Sequence, residues 1–558
     1  MYGRNRRRVL AAASAAAVAA SLVLAACSSS DDQETDNLAD KRVGSMDNYD
    51  VGVSFRATEP IEFSILINDH PAYPFKEDWP FWDWLKEKTN VSFKFVPAPL
   101  SDFNTVRTTL VTSGEAPDIL TRFYGNQETE FVASGALLPV SDYVHLMPNY
   151  SYRVEAWKMQ PELATHIQAD GKYYVLPGMH EEKRYEYGFA VRSDLLRKYN
   201  LEIPRTLDEF YEMLKTLKQE CEGVEGCYPL SDRFNQSPPD RPGGNLIRAV
   251  AAGYGVLGGW DYDTVSYNYD TGRYELTAAT DGYRKALEYL NKLINEGLLD
   301  PESLTQQDDQ ARQKLAQGKS FVISTNPQTI VNDYRNDIAA IPGAEMALIP
   351  VLTGPFGNRL LPGGGRLENG VAFPARVKDM PTFVALLQFV DWLFYSEEGQ
   401  EFAKWGLEGE TYTKDANGKR TLNPDITMLG FNPGAPKHLQ KDFGVYNGAF
   451  VYGGTRDLMH SFYSEEEAAY ISAALEGREV LPVPPPAPLD EDEQEELTFI
   501  RTPLTDHVMT ETLRFILGER PFSDWDAFVK EVTVELRGNE YVETINAAME
   551  RFKANQGG

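Results

Sequence analysis

Cysteine is scarce in this chain, with three residues in 558, at positions 27, 221 and 227. Basic side chains are the minority: 54 Lys and Arg stand against 83 Asp and Glu, a formal net charge of -29. A surface of that sign repels phosphate backbones and anionic bilayers, which argues against nucleic acid as a partner. Beyond the first 26 residues no apolar run is long enough to span a bilayer. No internal repeat is evident. The seven His form no H-E-x-x-H, and no G-x-S-x-G elbow occurs. Gly318-Lys319-Ser320 imitates the end of a phosphate-binding loop, but Gln313 stands where the first glycine is required. With 83 acidic residues some carboxylate pair lies near any cleft, so such pairs are no evidence of glycoside hydrolysis. The chain reads as a binder, not an enzyme, and no cofactor or metal is expected.

What is present is an ordinary globular composition, 42% hydrophobic and 25% charged, at a length that allows two to four domains. Arg4, Arg6, Arg7 and Arg8 precede an Ala-rich apolar run from Val9 to Ala26, a charged n-region followed by an h-region. The run closes on Leu24-Ala25-Ala26-Cys27, which matches a bacterial lipobox. Cleavage before Cys27, lipidation of its thiol and anchoring at the outer face of the cytoplasmic membrane are the expectation. A single transmembrane anchor is the alternative, and the Ala-rich run is weak for that role. Cleavage removes four Arg and takes the charge from -29 to -33. Residues 27–57, Ser-, Asp- and Asn-rich with little apolar periodicity, read as a flexible tether.

From Pro60 the pattern is strand, helix, strand. Ile61, Phe63, Ile65 and Ile67 alternate, an aromatic-rich helix is predicted over 77–88, and Val91 to Val96 is strand-like, a βαβ unit that implies a parallel sheet. A third strand is expected at 116–120. Asp170-Gly-Lys is a turn, Tyr173 to Leu176 a short strand ended by Pro177-Gly178, and Tyr187 to Val191 a second apolar segment. Thr206 with Glu209 makes a capping box for a helix carrying Leu207, Phe210, Leu214 and Leu217. Another strong helix runs through Tyr283, Leu287, Leu290 and Ile294. Asp415-Ala-Asn-Gly-Lys is a hairpin turn rather than an ion site. Residues 478–496 read as a Pro-rich, then acidic, surface connection.

Several of these phrases carry a family resemblance. DGKYYVLP at 170–177, followed by R-x-D-L-L and L-x-I-P-x-T-x-D-E-F through Phe210, resembles the lipoprotein (LipO-like) branch of the family-1 extracellular solute-binding proteins. SGEAPDIL at 113–120, YLNKLINEGLLDPES at 289–303 and DWLFYSEEGQEFAKWGLEGETY at 391–412 are similar to the same family, and the likeness covers about residues 60–552 in order. The resemblance implies an α/β, two-lobed, type II periplasmic-binding-protein-like fold, each lobe a mostly parallel sheet flanked by helices, with a ligand cleft between lobes. It divides the chain into 58–187 with 356–412 as the N-terminal lobe and 188–355 with 413–558 as the C-terminal lobe, with crossings near 177–191, 350–356 and 411–415. It implies a monomer that captures an oligosaccharide and delivers it to ABC permease subunits with a separate ATPase. A peptide or other small solute is the alternative, since fold does not fix ligand.

Relatives carry an Asp/Asn-rich calcium loop near Cys221-Glu-Gly-Val-Glu-Gly-Cys227. Glu222 and Glu225 are too few oxygens for Ca²⁺, so no metal is expected there. The two thiols suggest a Cys221–Cys227 staple in its place, with two free thiols as the alternative. Ligands of open α/β sheets sit beyond the carboxyl ends of strands. That rule selects Asp69 and His70 after the first strand and Tyr124 and Asn126 after the third. His180, Glu181 and Arg184 follow the hinge strand, Asn326 ends a strand at 321–324, and Arg366 lies in a Gly-rich turn. Trp260, beside Gly258 and Gly259, could offer its face to a sugar ring.

Overall fold

The computed structural model describes residues 38–556 apart from 184, 186, 234–243, 363 and 364. Cys27 and Arg184 lie outside the described residues. The chain forms two lobes, each around its own core.

The first lobe opens with β1 (Ile61–Asp69), α1 (Pro80–Thr89) and β2 (Val91–Pro99), the two strands pairing in parallel through nine consecutive residues. Pro80 pre-sets the first turn of α1, and Asn90 in the left-handed region ends it. Phe63, Ile65 and Ile67 face one core while Leu66 faces another, so both sides of β1 are covered over its second half, where Ile65, Leu66 and Ile67 run together. β3 (Ile119–Phe123) adds in parallel beside β1. β4 (Val175–His180) runs through Pro177-Gly178 rather than ending there.

The chain then crosses to the second lobe at 181–187 and enters β5 (Gly188–Arg192). There α2 (Leu207–Leu217) starts with the Thr206–Glu209 capping box, and α3 (Asn245–Gly253) and α4 (Asp281–Asn295) pack on it. Burying Leu207, Phe210, Leu214 and Leu217 is worth about 1.5–3 kcal/mol each relative to exposure. β6 (Val322–Thr325) and β7 (Met346–Ile349) flank β5, and both pairings are antiparallel. The mostly parallel sheet expected here is therefore corrected. At the edge of that sheet Leu230 bridges Val322 and Leu299 in parallel. The segment before β5 comes from the other lobe, so β5 enters the sheet without a preceding crossover helix.

β8 (Leu367–Ala372) returns to the first lobe and inserts antiparallel between β3 and β4. α5 (Phe383–Tyr395) is buried at every position and α6 (Glu397–Trp405) follows directly, started by the Ser396 side chain. β9 (Gly453–Gly454) completes a sheet ordered β9-β4-β8-β3-β1-β2. The third crossing falls after Phe462, not at 411–415. Tyr412, Leu422, Ile426, Leu439 and Phe450 join the first core, and only from Tyr463 does the chain pack on the second lobe. The aromatic and aliphatic content of 412–462 completes the walls around α6, which explains the correction. α7 (Glu491–Leu517) begins with an Asp490–Glu493 capping box, so the acidic run expected as a surface connection forms the first turns of a long helix, and α8 (Gly538–Gln556) packs beside it.

Residues 38–57 are a strap on the first lobe, which corrects the tether reading for this stretch. Met46 and Gln388 exchange two 2.9 Å hydrogen bonds, the Tyr49 hydroxyl donates to Asp391 at 2.8 Å, and Phe55 is 1% exposed against Phe389. The polar composition misled because the few apolar residues are spaced to fit α5, not to form a helix or strand. The sulfurs of Cys221 and Cys227 are joined. Among the described residues no helix is long and apolar enough to cross a membrane.

Candidate functional site

The site is built at the ends of strands that face the crossing. In the first lobe the C-termini of β1, β3 and β4 and the start of β8 lie at one edge of the sheet. Two of these strands are irregular there. Between Leu120 and Phe123, β3 carries one more residue than the β8 segment it opposes, a bulge at Thr121-Arg122. β8 in turn carries an extra residue, Asn369, against β4. A bulge re-aims a side chain at the cost of ladder pairing, and bulges gather near functional sites. Arg122 also has a φ of 62°, a left-handed conformation that a long side chain seldom adopts and that surrounding structure must hold. It is held by the buried Arg107, whose guanidinium donates to the Arg122 carbonyl.

Both bulges aim at Tyr452, just before β9. Its backbone lies close against β4 where Gly178 leaves room: a Cβ there would sit 2.6 Å from the Tyr452 Cβ. Arg122 donates to the hydroxyls of Tyr452 and Tyr124, each at 3.1 Å. His70 and Tyr73 stack at 4.1 Å and nearly parallel, in the loop that follows β1. Asn68 and Asn369 are both 2% exposed, and neither side-chain amide makes a hydrogen bond of good geometry, although each lies near a tyrosine hydroxyl, Tyr73 and Tyr452 respectively. Buried amides short of hydrogen bonds are rare and costly, which singles out this edge of the sheet as a candidate site.

Burial, then the nearby Arg122 charge, lowers the His70 pKa, which keeps its imidazole neutral at physiological pH. Burial raises Tyr73 and pushes Tyr452 up to about 12, so both hydroxyls stay protonated. The half-site thus offers neutral rings, hydroxyls and amides around one guanidinium. Such a set can hold a polyhydroxylated ligand by its faces and its hydroxyls.

The second half-site is aromatic too. Trp260 is half-buried in a short turn and meets Tyr187 edge-on at 5.2 Å. Arg248 lies over the Tyr187 ring at 5.7 Å and is paired with Asp261 at 2.6 Å. His180, at the end of β4, and Tyr187, just before β5, are seven residues apart. A chain that long spans at most about 25 Å, which limits the separation of those two residues.

The residues expected from sequence are distributed unevenly. His70 and Tyr124 belong to the Arg122 cluster, and Trp260 to the second half-site. Asp69 is exposed and accepts from the Phe75 backbone N–H at 2.9 Å, shaping the loop that carries His70. Asn126 is exposed in a left-handed turn beyond Tyr124. His180 is 4% exposed and bonded to Glu368 at 2.6 Å. Glu181 points elsewhere: its carboxylate accepts from the Arg456 N–H at 2.7 Å and lines a separate groove of about 900 Å³ with Arg153 and Trp157. Asn326 caps the next helix through Thr329. Arg366 spends its fork on Glu162 at 2.7 Å and on the carbonyls of Trp157 and Lys158, a structural tie. Sequence reasoning missed Asn68, Arg122, Asn369, Tyr187 and Tyr452. A lone Asn ending the apolar run of β1, and a Tyr before two glycines, were the available signals.

A profile described as bacterial extracellular solute-binding protein matches residues 72–401, more than half of the chain. The chain belongs to that family. A solute-binding protein of this kind is a binder rather than an enzyme. Among curated relatives, the polygalacturonan/rhamnogalacturonan-binding protein YtcQ of Bacillus subtilis is 25% identical over 50% of this chain, spanning 52% of its own length. Lipoprotein LipO of the same organism is 25% identical over 63% of the chain and 69% of itself. The fructooligosaccharide ABC transporter substrate-binding protein FusA of Streptococcus pneumoniae is 22% identical over 82% of the chain and 84% of itself. The fold matches the crystal structure of an extracellular solute-binding protein from Bifidobacterium longum subsp. infantis, with a TM-score of 0.68 and 16% identity over 88% of this chain and 98% of that one.

Proposed function

We propose that this solute-binding protein is the capture component of an ABC importer and that it takes an oligosaccharide between its lobes. The observation that carries the reading is the pair of buried amides of Asn68 and Asn369, each beside a tyrosine hydroxyl and short of its full set of hydrogen bonds, near stacked or exposed rings, with Trp260 and Tyr187 on the second lobe. Sugars present C–H faces to rings and hydroxyls to planar polar groups, and this site supplies both. The saccharides for which YtcQ and FusA are named support the same class. Lobe closure around the ligand by hinge motion at the three crossings would create the form that docks on a permease, with ATP hydrolysis supplied by a separate subunit. Lipidation at Cys27 would hold the protein at the outer face of the cytoplasmic membrane, working as a monomer.

The test is a thermal-shift screen of the chain from Ser28 onward against plant-wall, host-glycan and storage oligosaccharides, with peptides alongside. Ligand at a hundred times its dissociation constant stabilises the native state by about 2.7 kcal/mol, a shift of several degrees. Stabilisation by one glycan class is the expected result. Stabilisation by peptides alone refutes the saccharide reading.

A further inference from the structure

We infer that the ligand is an acidic saccharide and that Arg122 reads its carboxylate; this rests on the saccharide reading above. The chain is strongly acidic, yet among the described residues no carboxylate lies within 4.0 Å of Arg122. Its partners are the hydroxyls of Tyr452 and Tyr124, which orient a guanidinium without neutralising it. Arg248, Arg366 and Arg233 are paired with Asp261, Glu162 and Asp308, while Arg107, Arg153 and Arg478, like Arg122, are held by neutral oxygens; of these four Arg107 and Arg153 are buried. The carboxylates near the cluster are engaged elsewhere, Glu368 with His180 at 2.6 Å and Asp69 with the Phe75 N–H.

The backbone is arranged to put this one charge there. A bulge and a left-handed φ at Arg122 turn its side chain toward Tyr452, and the buried Arg107 clamps the turn from behind. A regular strand would leave position 122 in the ladder. Tyr124 is 45% exposed and Arg122 itself half-buried, its guanidinium near the Phe103 and Tyr124 rings. A planar fork held by two hydroxyls is pre-organised for a carboxylate, which it can meet through parallel N–H donors, while the stacked His70–Tyr73 pair supports a ring beside it. With a neutral sugar the guanidinium would face only the more distant carboxylates of Asp69 and Glu368.

The experiment is calorimetric titration of the chain from Ser28 with trimers of galacturonate, glucuronate and mannuronate, each beside its carboxyl-reduced, neutral counterpart. At least one acidic trimer is expected to bind about tenfold to a hundredfold more tightly than its own reduced form. Arg122→Gln is expected to bring that ratio to about one with the melting temperature unchanged, and Arg122→Lys to keep part of it. Should Arg122→Gln not fold, Tyr124→Phe with Tyr452→Phe frees the fork and must reduce the ratio instead. Acid affinity must also fall between 50 and 500 mM NaCl while neutral affinity holds. Equal binding of acidic and neutral trimers, or a ratio that survives in Arg122→Gln, overturns the inference and leaves the saccharide reading standing. Binding of no saccharide at all removes both.

Discussion

Phe55→Ala separates a strap from a tether. Phe55 is 1% exposed, edge-on to Phe389 of α5, and belongs to the first-lobe core. Truncating a buried Phe removes its transfer free energy and leaves a cavity, about 3–5 kcal/mol together. At about 2–4 °C per kcal/mol for a lobe of this size, the first-lobe melting transition drops by about 10 °C. Val51, on the same strap but 45% exposed, is the control, and Val51→Ala stays within about 0.5 kcal/mol. Urea denaturation followed by near-ultraviolet circular dichroism, with calorimetry to resolve the two lobes, reads both variants. A loss below about 1 kcal/mol for Phe55→Ala would show that 38–57 is a spacer and refute the packing argument. The outcome also decides where a soluble form can start, because one begun at residue 58 discards Phe55, the Tyr49–Asp391 bond and the Met46–Gln388 pair.

Trp260→Ala removes a half-buried ring of the second half-site and lowers affinity for the cognate glycan about tenfold or more by calorimetry, with stability little changed. Arg366→Ala does the reverse. It leaves Glu162, 5% exposed, without its partner, so urea unfolding shows a loss of about 3–5 kcal/mol while the folded protein binds within about threefold of wild type. Asp391 supplies a pH signature. Burial raises its pKa from 3.8 to about 6, against opposing hydrogen bonds from Tyr150, Asn149 and Tyr49. The native state therefore holds a proton that the unfolded chain has released between about pH 4 and 6. That stabilisation is complete below pH 4 and is lost as pH rises through 6, about 3 kcal/mol in all. Urea midpoints of wild type should fall over that window relative to Asp391→Asn, and parallel curves would refute it.

The elements came through in the sequence wherever a period and a cap coincided. Thr206 with Glu209 and the leucine stripe after them locate α2, and the alternation from Ile61 to Ile67 locates β1. Strand direction in the second sheet did not come through, because β5 and β7 read alike whether their neighbours run with them or against them. The lobe boundary near 412 was carried over from the family resemblance, and packing of Tyr412 and Leu422 on the first core moves it. Around the candidate site, His70 and Tyr124 stand just beyond strand ends, where position alone selects them. Arg122 and Asn369 could not be found that way, since a bulge adds one residue without any fixed sequence mark. Arg366 was misread because a lone Arg in a Gly-rich turn does not announce a buried Glu 204 positions earlier.

The third crossing after Phe462 decides where a reporter belongs. The chain from Ser28 retains two cysteines, and these are joined to each other, so introduced thiols can be labelled without background. Asn417, exposed at the hairpin tip, travels with the first lobe, and Thr271, exposed at a turn between two short strands, with the second. Spin labels at 417 and 271 will read the angle between the lobes as ligand is added. A pair at 417 and 145 lies within one lobe and will hold its distance throughout, which makes it the internal ruler for the same titration.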